Sequence, residues 1–153
     1  MKNMFCFQCE QTAGGIACNA RAGVCGKQDR TANLQDELLG SLIVYADKYK
    51  DTVDEDIIKL ILEGLFTTVT NVSFDDAAIR ETIGRVRTLS GGGCNDMKKV
   101  WEADEDIGSL KALILYGLKG IAAYAYHAMM LGHTDDFVNG FFLTGLAAVG
   151  NDT

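Results

Sequence analysis

The sequence predicts an all-α fold, a bundle of five to six helices behind an irregular, cysteine-rich amino-terminal loop. Three observations carry this. Proline is absent from all 153 residues, where average usage of about 5% would place roughly seven or eight. Helices can therefore run uninterrupted, with glycine left to make the turns. Beyond residue 30 apolar side chains recur at helical steps, and no alternating run of strand type occurs. Before residue 30 that period is missing, and Cys6, Cys9, Cys18 and Cys25 stand instead among glycines.

The first helix is expected from Thr31, with Thr31 or Asp29 as its cap, because Leu34, Leu38, Leu42, Tyr45 and Tyr49 share one face. A second is expected over about Asp54 to Val69, where Ile57, Ile58, Ile61, Leu65, Phe66 and Val69 form a broad apolar stripe, with Gly64 a small cost or a close contact. Ser73, with Asp76 three residues on, offers a cap for a third helix through Ile79, Ile83, Val86 and Leu89. Ser90-Gly91-Gly92-Gly93 ends it and reads as a hinge near residues 90–95, since consecutive glycines have the highest backbone freedom. A short piece with Met97, Val100 and Trp101 follows.

The fifth element starts near Asp106 and carries SLKALILYGLKGIAAYAYHAMMLG, apolar almost all round. A membrane span is rejected because Lys119 sits at its middle, no flanking basic bias appears, and Gly117, Gly120, Ala122 and Ala123 suit close helix packing. The expectation is a central buried helix, with His127 as a hydrogen-bonded core histidine and Tyr116, Tyr124 and Tyr126 as packing residues. A sixth helix over about Asp135 to Val149 closes the chain with Phe137, Phe141, Phe142, Leu146 and Val149. Asp54, Glu55 and Asp56, like Asp104, Glu105 and Asp106, fall at helix starts, where negative charge meets the helix dipole. Organisation is read as one domain: a loop over 1–30 and a helical bundle over 31–153.

At this length the chain buries a real core without crosslinks. A net charge of -7 argues against nucleic-acid or anionic-membrane partners, since little here would displace counterions from phosphates. The opening MKNMFCFQCEQ has no apolar run of signal-peptide type. A cytoplasmic location is expected, and there clustered thiols serve metals or redox chemistry more often than disulfides.

Cys6, Cys9, Cys18 and Cys25 are spaced C-x2-C-x8-C-x6-C. Two cysteines separated by two residues can face one metal centre through a tight turn, and the longer gaps let the loop wrap round with two more ligands. An iron–sulfur cluster is favoured. A structural zinc site, two disulfides and four unrelated buried cysteines remain as alternatives. Phe5, Phe7, Ile16 and Val24 are expected to shield the metal, and Arg21, Lys27 and Arg30 are candidates to offset the charge of four thiolates. Cys94, after the glycines, is a lone thiol outside the motif. His127 and His133 are six residues apart and lack the spacing of a helical metal pair, and Gly91–Gly93 lacks the lysine of a phosphate loop.

FCFQCEQTA, GVCGK and TANLQDELL, followed by GLFTTVTNVSFDD and SLKALILYGLKGIAAYAYHAMMLG, resemble in order the amino-terminal part of the hybrid-cluster or prismane proteins, assigned as hydroxylamine reductases. The resemblance implies a conventional iron–sulfur cluster on Cys6, Cys9, Cys18 and Cys25, with the short gap between the second and third favouring [4Fe-4S] over [2Fe-2S]. It also implies that the hybrid cluster that reduces hydroxylamine is held by later domains outside these residues, and that the segment around 90–105 is shortened. The functional expectation is a one-cluster electron-transfer module that serves a redox partner protein and has no catalytic residues of its own. Cluster-based sensing and a structural zinc module are the alternatives. Self-association through uncovered faces of the last two helices is expected as well.

Overall fold

The computed structural model describes residues 4–6, 8, 9 and 16–151. Six helices follow the loop: α1 (Asp29–Tyr49), α2 (Glu55–Thr68), α3 (Asp76–Ser90), α4 (Met97–Trp101), α5 (Glu105–Met130) and α6 (Asp136–Gly150). No strand occurs among the described residues. The expected all-α architecture is present, with two isolated β-bridges confined to the amino-terminal loop.

Five of the six helices start in one way. Asp54, Asp75, Asp96, Asp104 and Asp135 each stand at an N-cap and accept hydrogen bonds from backbone N–H groups of the first turn. A carboxylate there satisfies orphan donors and meets the positive end of the helix dipole. This corrects two expected caps. Asp75 rather than Ser73 starts α3, and α1 begins after Gln28 with no side-chain cap at all. Thr31, expected as a cap, is buried and donates its hydroxyl to Asp76 Oδ1 on α3 at 2.7 Å.

The central helix is α1, which packs against α3, α6 and α2. Leu38, Leu39, Leu42 and Ala46 are fully enclosed, and each such leucine contributes about 1.5–3 kcal/mol by leaving water. Around them gather Ile58, Ile61 and Leu65 of α2, Ile79 and Val86 of α3, Leu115 and Leu118 of α5, and Phe142, Leu146 and Val149 of α6. Gly64 proves to be a close contact, since a Cβ there would lie 2.8 Å from Leu42 Cδ1.

The expectation that α5 is the central buried helix is overturned. It packs on α2 and α6, with α4 against its start, and buries only the stripe Leu115, Leu118, Lys119 and Ala122. Leu110, Leu113, Tyr124, Met130 and Leu131 are exposed, as is Phe137 of α6. Composition makes a helix apolar without saying what covers it. With 26 residues and a mean hydropathy of 1.2 in its most apolar window, α5 is long and apolar enough to cross a membrane by length and composition. Gly117 and Gly120 face open space rather than a packed neighbour. His127 is exposed, its ring edge-on to Phe66, so it is no core histidine. Tyr126 does pack, stacking on Phe66 at 5.2 Å between centroids, whereas Tyr124 lies in solvent.

Gly91, Gly92 and Gly93 all take positive φ, between 87° and 97°. The N–H groups of Gly91 and Gly92 both return to Arg87 O, which closes α3 with a left-handed cap. The chain then turns back onto α1, where the Asn95 N–H donates to Gly40 O at 3.0 Å.

That approach depends on Gly40 having no side chain, because a Cβ there would fall 2.1 Å from the Asn95 carbonyl oxygen. We expect Gly40→Ala to destabilise the protein by about 1–3 kcal/mol through overpacking against backbone. Urea unfolding should show a lowered midpoint at unchanged slope.

Candidate metal centre

The chain doubles back on itself twice before α1, and the two reversals bring the cysteines together. Cys6 and Cys18 form an antiparallel bridge, each N–H donating to the other's carbonyl at 3.0 and 2.9 Å. Residues paired in this way have Cα atoms about 5.5 Å apart and project their side chains to one side. The second reversal pairs Ala22 with Gln28. Inside it the Gly23 N–H donates to Lys27 O and the Gly26 N–H to Gly23 O, both at 2.8 Å, with Gly26 at φ 85°. This tight loop carries Cys25.

Cys6, Cys9, Cys18 and Cys25 all line one small cavity, about 10 Å³, together with Met4, Gln8, Gly23, Val24 and Lys27. Cys6 and Cys18 are buried, Cys9 and Cys25 are half-buried, and all five cysteines of the chain are free thiols. Among the described residues, no three Cys, His, Asp or Glu side chains close on a ready-made single-ion site. Gly23 is constrained by this packing: a Cβ would lie 3.2 Å from Met4 Cε and 3.5 Å from Cys25 Sγ.

Two polar anchors tie the loop to the helices. Lys27 is 2% exposed and donates from Nζ to Gln35 Oε1 of α1. The Gln35 amide in turn donates to Thr67 O and Ser73 O, at 3.3 and 3.1 Å. The other anchor is Gln8, which lies inside the C-x2-C turn. Its Nε2 donates to Asp36 Oδ1 of α1, and its Oε1 accepts from Lys119 Nζ of α5 at 3.2 Å. Lys119 is 5% exposed.

A family model described as Prismane/CO dehydrogenase matches residues 4–153. The chain belongs to the Prismane/CO dehydrogenase family. A hydroxylamine reductase of Desulfitobacterium hafniense is 36% identical, covering 99% of this chain and 34% of the relative. Hydroxylamine reductases of Methanocella arvoryzae and Chlorobaculum tepidum are 39% and 38% identical, covering 97% and 95% of the chain. The chain thus spans about a third of the length of these relatives, matching their amino-terminal part.

Prismane-family proteins bind iron–sulfur clusters, and such clusters are held by cysteine thiolates. Four thiols around one cavity supply that donor chemistry. The charged surroundings suit it too. Among the described residues two buried ammonium groups, Lys27 and Lys119, stand against the carboxylate of Asp36, with Lys27 lining the thiol cavity and Lys119 joined to it through Gln8. A buried ion lacking a partner of opposite sign is expensive, and anionic sulfur is such a partner.

Of the three cations expected to offset thiolate charge, only Lys27 occupies that position. Arg21 and Arg30 are exposed, and Arg30 pairs instead with Asp76 at 2.8 Å. The expected apolar shield is also redrawn. Phe5 and Ile16 are exposed, Val24 lines the cavity while remaining exposed, Phe7 lies outside the described residues, and Met4 is the buried apolar residue of the lining. Cys94 lies away from the other four thiols and is exposed, its Sγ 3.5 Å from Glu37 O. Sequence reasoning missed Gln8, Gln35 and Asp36. The one available signal was Lys119, a charge in the middle of an apolar helix.

Burial dominates the titration of this group. It raises the Asp36 carboxyl to about 6, against the Gln8 hydrogen bond and the nearby lysines, which lower it. It lowers Lys119 to about 8, with Asp36 acting the other way. The Cys6 thiol is pushed up by burial, partly offset by a hydrogen bond from the Gln8 backbone and by Lys27.

These directions predict how metal-free protein responds to pH. Between about pH 4 and 6 the folded Asp36 holds its proton more tightly than the unfolded chain does, so stability falls as pH rises. Between about pH 8 and 9 folded Lys119 holds its proton less tightly than the unfolded chain, so stability rises with pH until the raised Cys6 thiol opposes it. Urea midpoints should therefore pass through a trough near pH 6–8, with Asp36 contributing on the order of 1–3 kcal/mol on the acid side. Asp36→Asn should flatten that acid limb.

Proposed function

We propose that Cys6, Cys9, Cys18 and Cys25 hold an iron–sulfur cluster, [4Fe-4S] in preference to [2Fe-2S], and that this segment passes single electrons to or from a redox partner protein. The observation that carries the reading is that all four thiols line one cavity together with buried Lys27 and with Gln8, whose Oε1 accepts from buried Lys119. The cluster, when bound, supplies one-electron chemistry. The residues of the chain fix the ligands, exclude water and balance charge.

The Cys6–Cys18 bridge and the Gly23–Lys27 turn hold the sulfurs, and Gln8 and Gln35 fasten those turns to α1. Backbone N–H groups close to the sulfurs tune such centres by hydrogen bonding. Four thiolates and an electron path do not by themselves make a site for hydroxylamine. On this reading the segment contributes to the reductase activity named for its relatives by relaying electrons, with catalysis lying elsewhere. A reducing, cytoplasmic setting goes with this reading, since clustered thiols there serve metals more often than disulfides. The exposed apolar residues of α5 and α6 support self-association with a second copy, and the acidic charge argues against nucleic-acid partners.

Anaerobically purified protein should be brown, with broad absorption near 400 nm that bleaches on reduction and with iron and acid-labile sulfide in equal amounts. Replacing Cys6 or Cys18 with serine should cost most of the iron, whereas Cys94→Ser should leave it unchanged. Colourless protein carrying one zinc would support a structural metal module instead. Cluster loss in air coupled to a change of oligomeric state would support sensing.

For the isolated segment we expect hydroxylamine reduction at background level in a reduced-viologen assay. Sedimentation of the same material should show a dimer. A monomer at high concentration would remove self-association from the proposal.

A further inference from the structure

Lys119 is out of place on its own helix. The residues buried with it on α5 are Leu115, Leu118 and Ala122, and the rest of the helix faces outward. A lysine at the edge of such a stripe would ordinarily extend to water, because burying an ammonium group is costly. Lys119 instead turns inward and spends a hydrogen bond on Gln8 Oε1, across 111 positions of sequence. Gln8 is itself 4% exposed, and its amide is oriented by Asp36 on the opposite side. Among the described residues Gln8 thus joins Lys119 and Asp36 to the cavity that it lines with Lys27 and the four cysteines.

We propose that Lys119 is a fixed positive charge that sets the reduction potential of the four-thiolate centre, with Asp36 opposing it from the other side of Gln8. The inference rests on the reading of Cys6, Cys9, Cys18 and Cys25 as cluster ligands. Reduction adds one electron to the centre, supplied in the test by dithionite, with no bond made or broken. The added negative charge is stabilised by a nearby buried cation and destabilised by a nearby carboxylate, and low-dielectric surroundings strengthen both effects. Lys119 acts through the field and through Gln8, so it is a positioning residue rather than a ligand.

The test uses the whole chain with its cluster reconstituted under anaerobic conditions, in wild-type, Lys119→Met and Asp36→Asn forms. Iron and sulfide are quantified first. The midpoint potential is then read at pH 7 by dye-mediated titration followed by EPR. Lys119→Met should move the midpoint to more negative values by about a tenfold change in the reduction equilibrium, which is about 59 mV for one electron. Asp36→Asn should move it in the opposite direction.

Opposite signs are the decisive outcome, because a merely structural lesion in this network would shift both variants alike. Fully loaded variants at the wild-type potential, or shifts of the same sign, overturn the inference and leave the cluster reading standing. Should Lys119→Met fail to retain iron, Asp36→Asn decides alone, a positive shift supporting the inference and no shift overturning it. Wild-type protein that takes up no iron overturns the cluster reading and this inference with it.

Discussion

Helix α1 performs two jobs along its length, and the rest of the structure is arranged around that division. Its middle and carboxy-terminal turns present Leu38, Leu39, Leu42 and Ala46 to α2, α3 and α6 and form the centre of the apolar core. Its first turns present Gln35 and Asp36, which receive the lysine and glutamine side chains of the thiol loop. A rigid, fully packed rod thus carries a polar socket at one end. Among the described residues the loop's own apolar cluster is small, Met4, Cys6 and Cys18 packed with Ala32 of α1. Its shape is imposed by the socket and by two short backbone reversals.

This division accounts for what the sequence could and could not reveal. The helices were legible because Leu34, Leu38 and Leu42, or Ile57, Ile61 and Leu65, repeat with the helical period, and because aspartates mark their starts. The four cysteines stood out because they fall within twenty residues with no packing period, and the structure brings them to one cavity. The second layer was hidden. Gln8, Gln35 and Asp36 carry no pattern, and their partners lie 28, 32 and 111 positions away in the chain. Pairings over such distances exist only once the bundle has formed.

The error about α5 has a related cause. Apolar composition and small residues read as a core helix, yet the bundle lays α5 along its margin, where α2 and α6 cover a single stripe. Hydropathy records what a residue tolerates, whereas burial depends on which elements arrive beside it. Lys119 marked the inward face all along, since it is the charged residue of that stripe and it reaches Gln8 of the thiol loop rather than the solvent.

The glycine turn after α3 is a corner that tolerates change. Gly91 and Gly92 lie with open space where side chains would be, and the turn meets α1 at Val44 and Gly40, beyond the Gln35–Asp36 socket. Chain length can therefore be gained or lost at this corner while the sulfur-bearing end keeps its geometry. An insertion here would lengthen a surface excursion and leave the thiol-bearing end of the rod untouched.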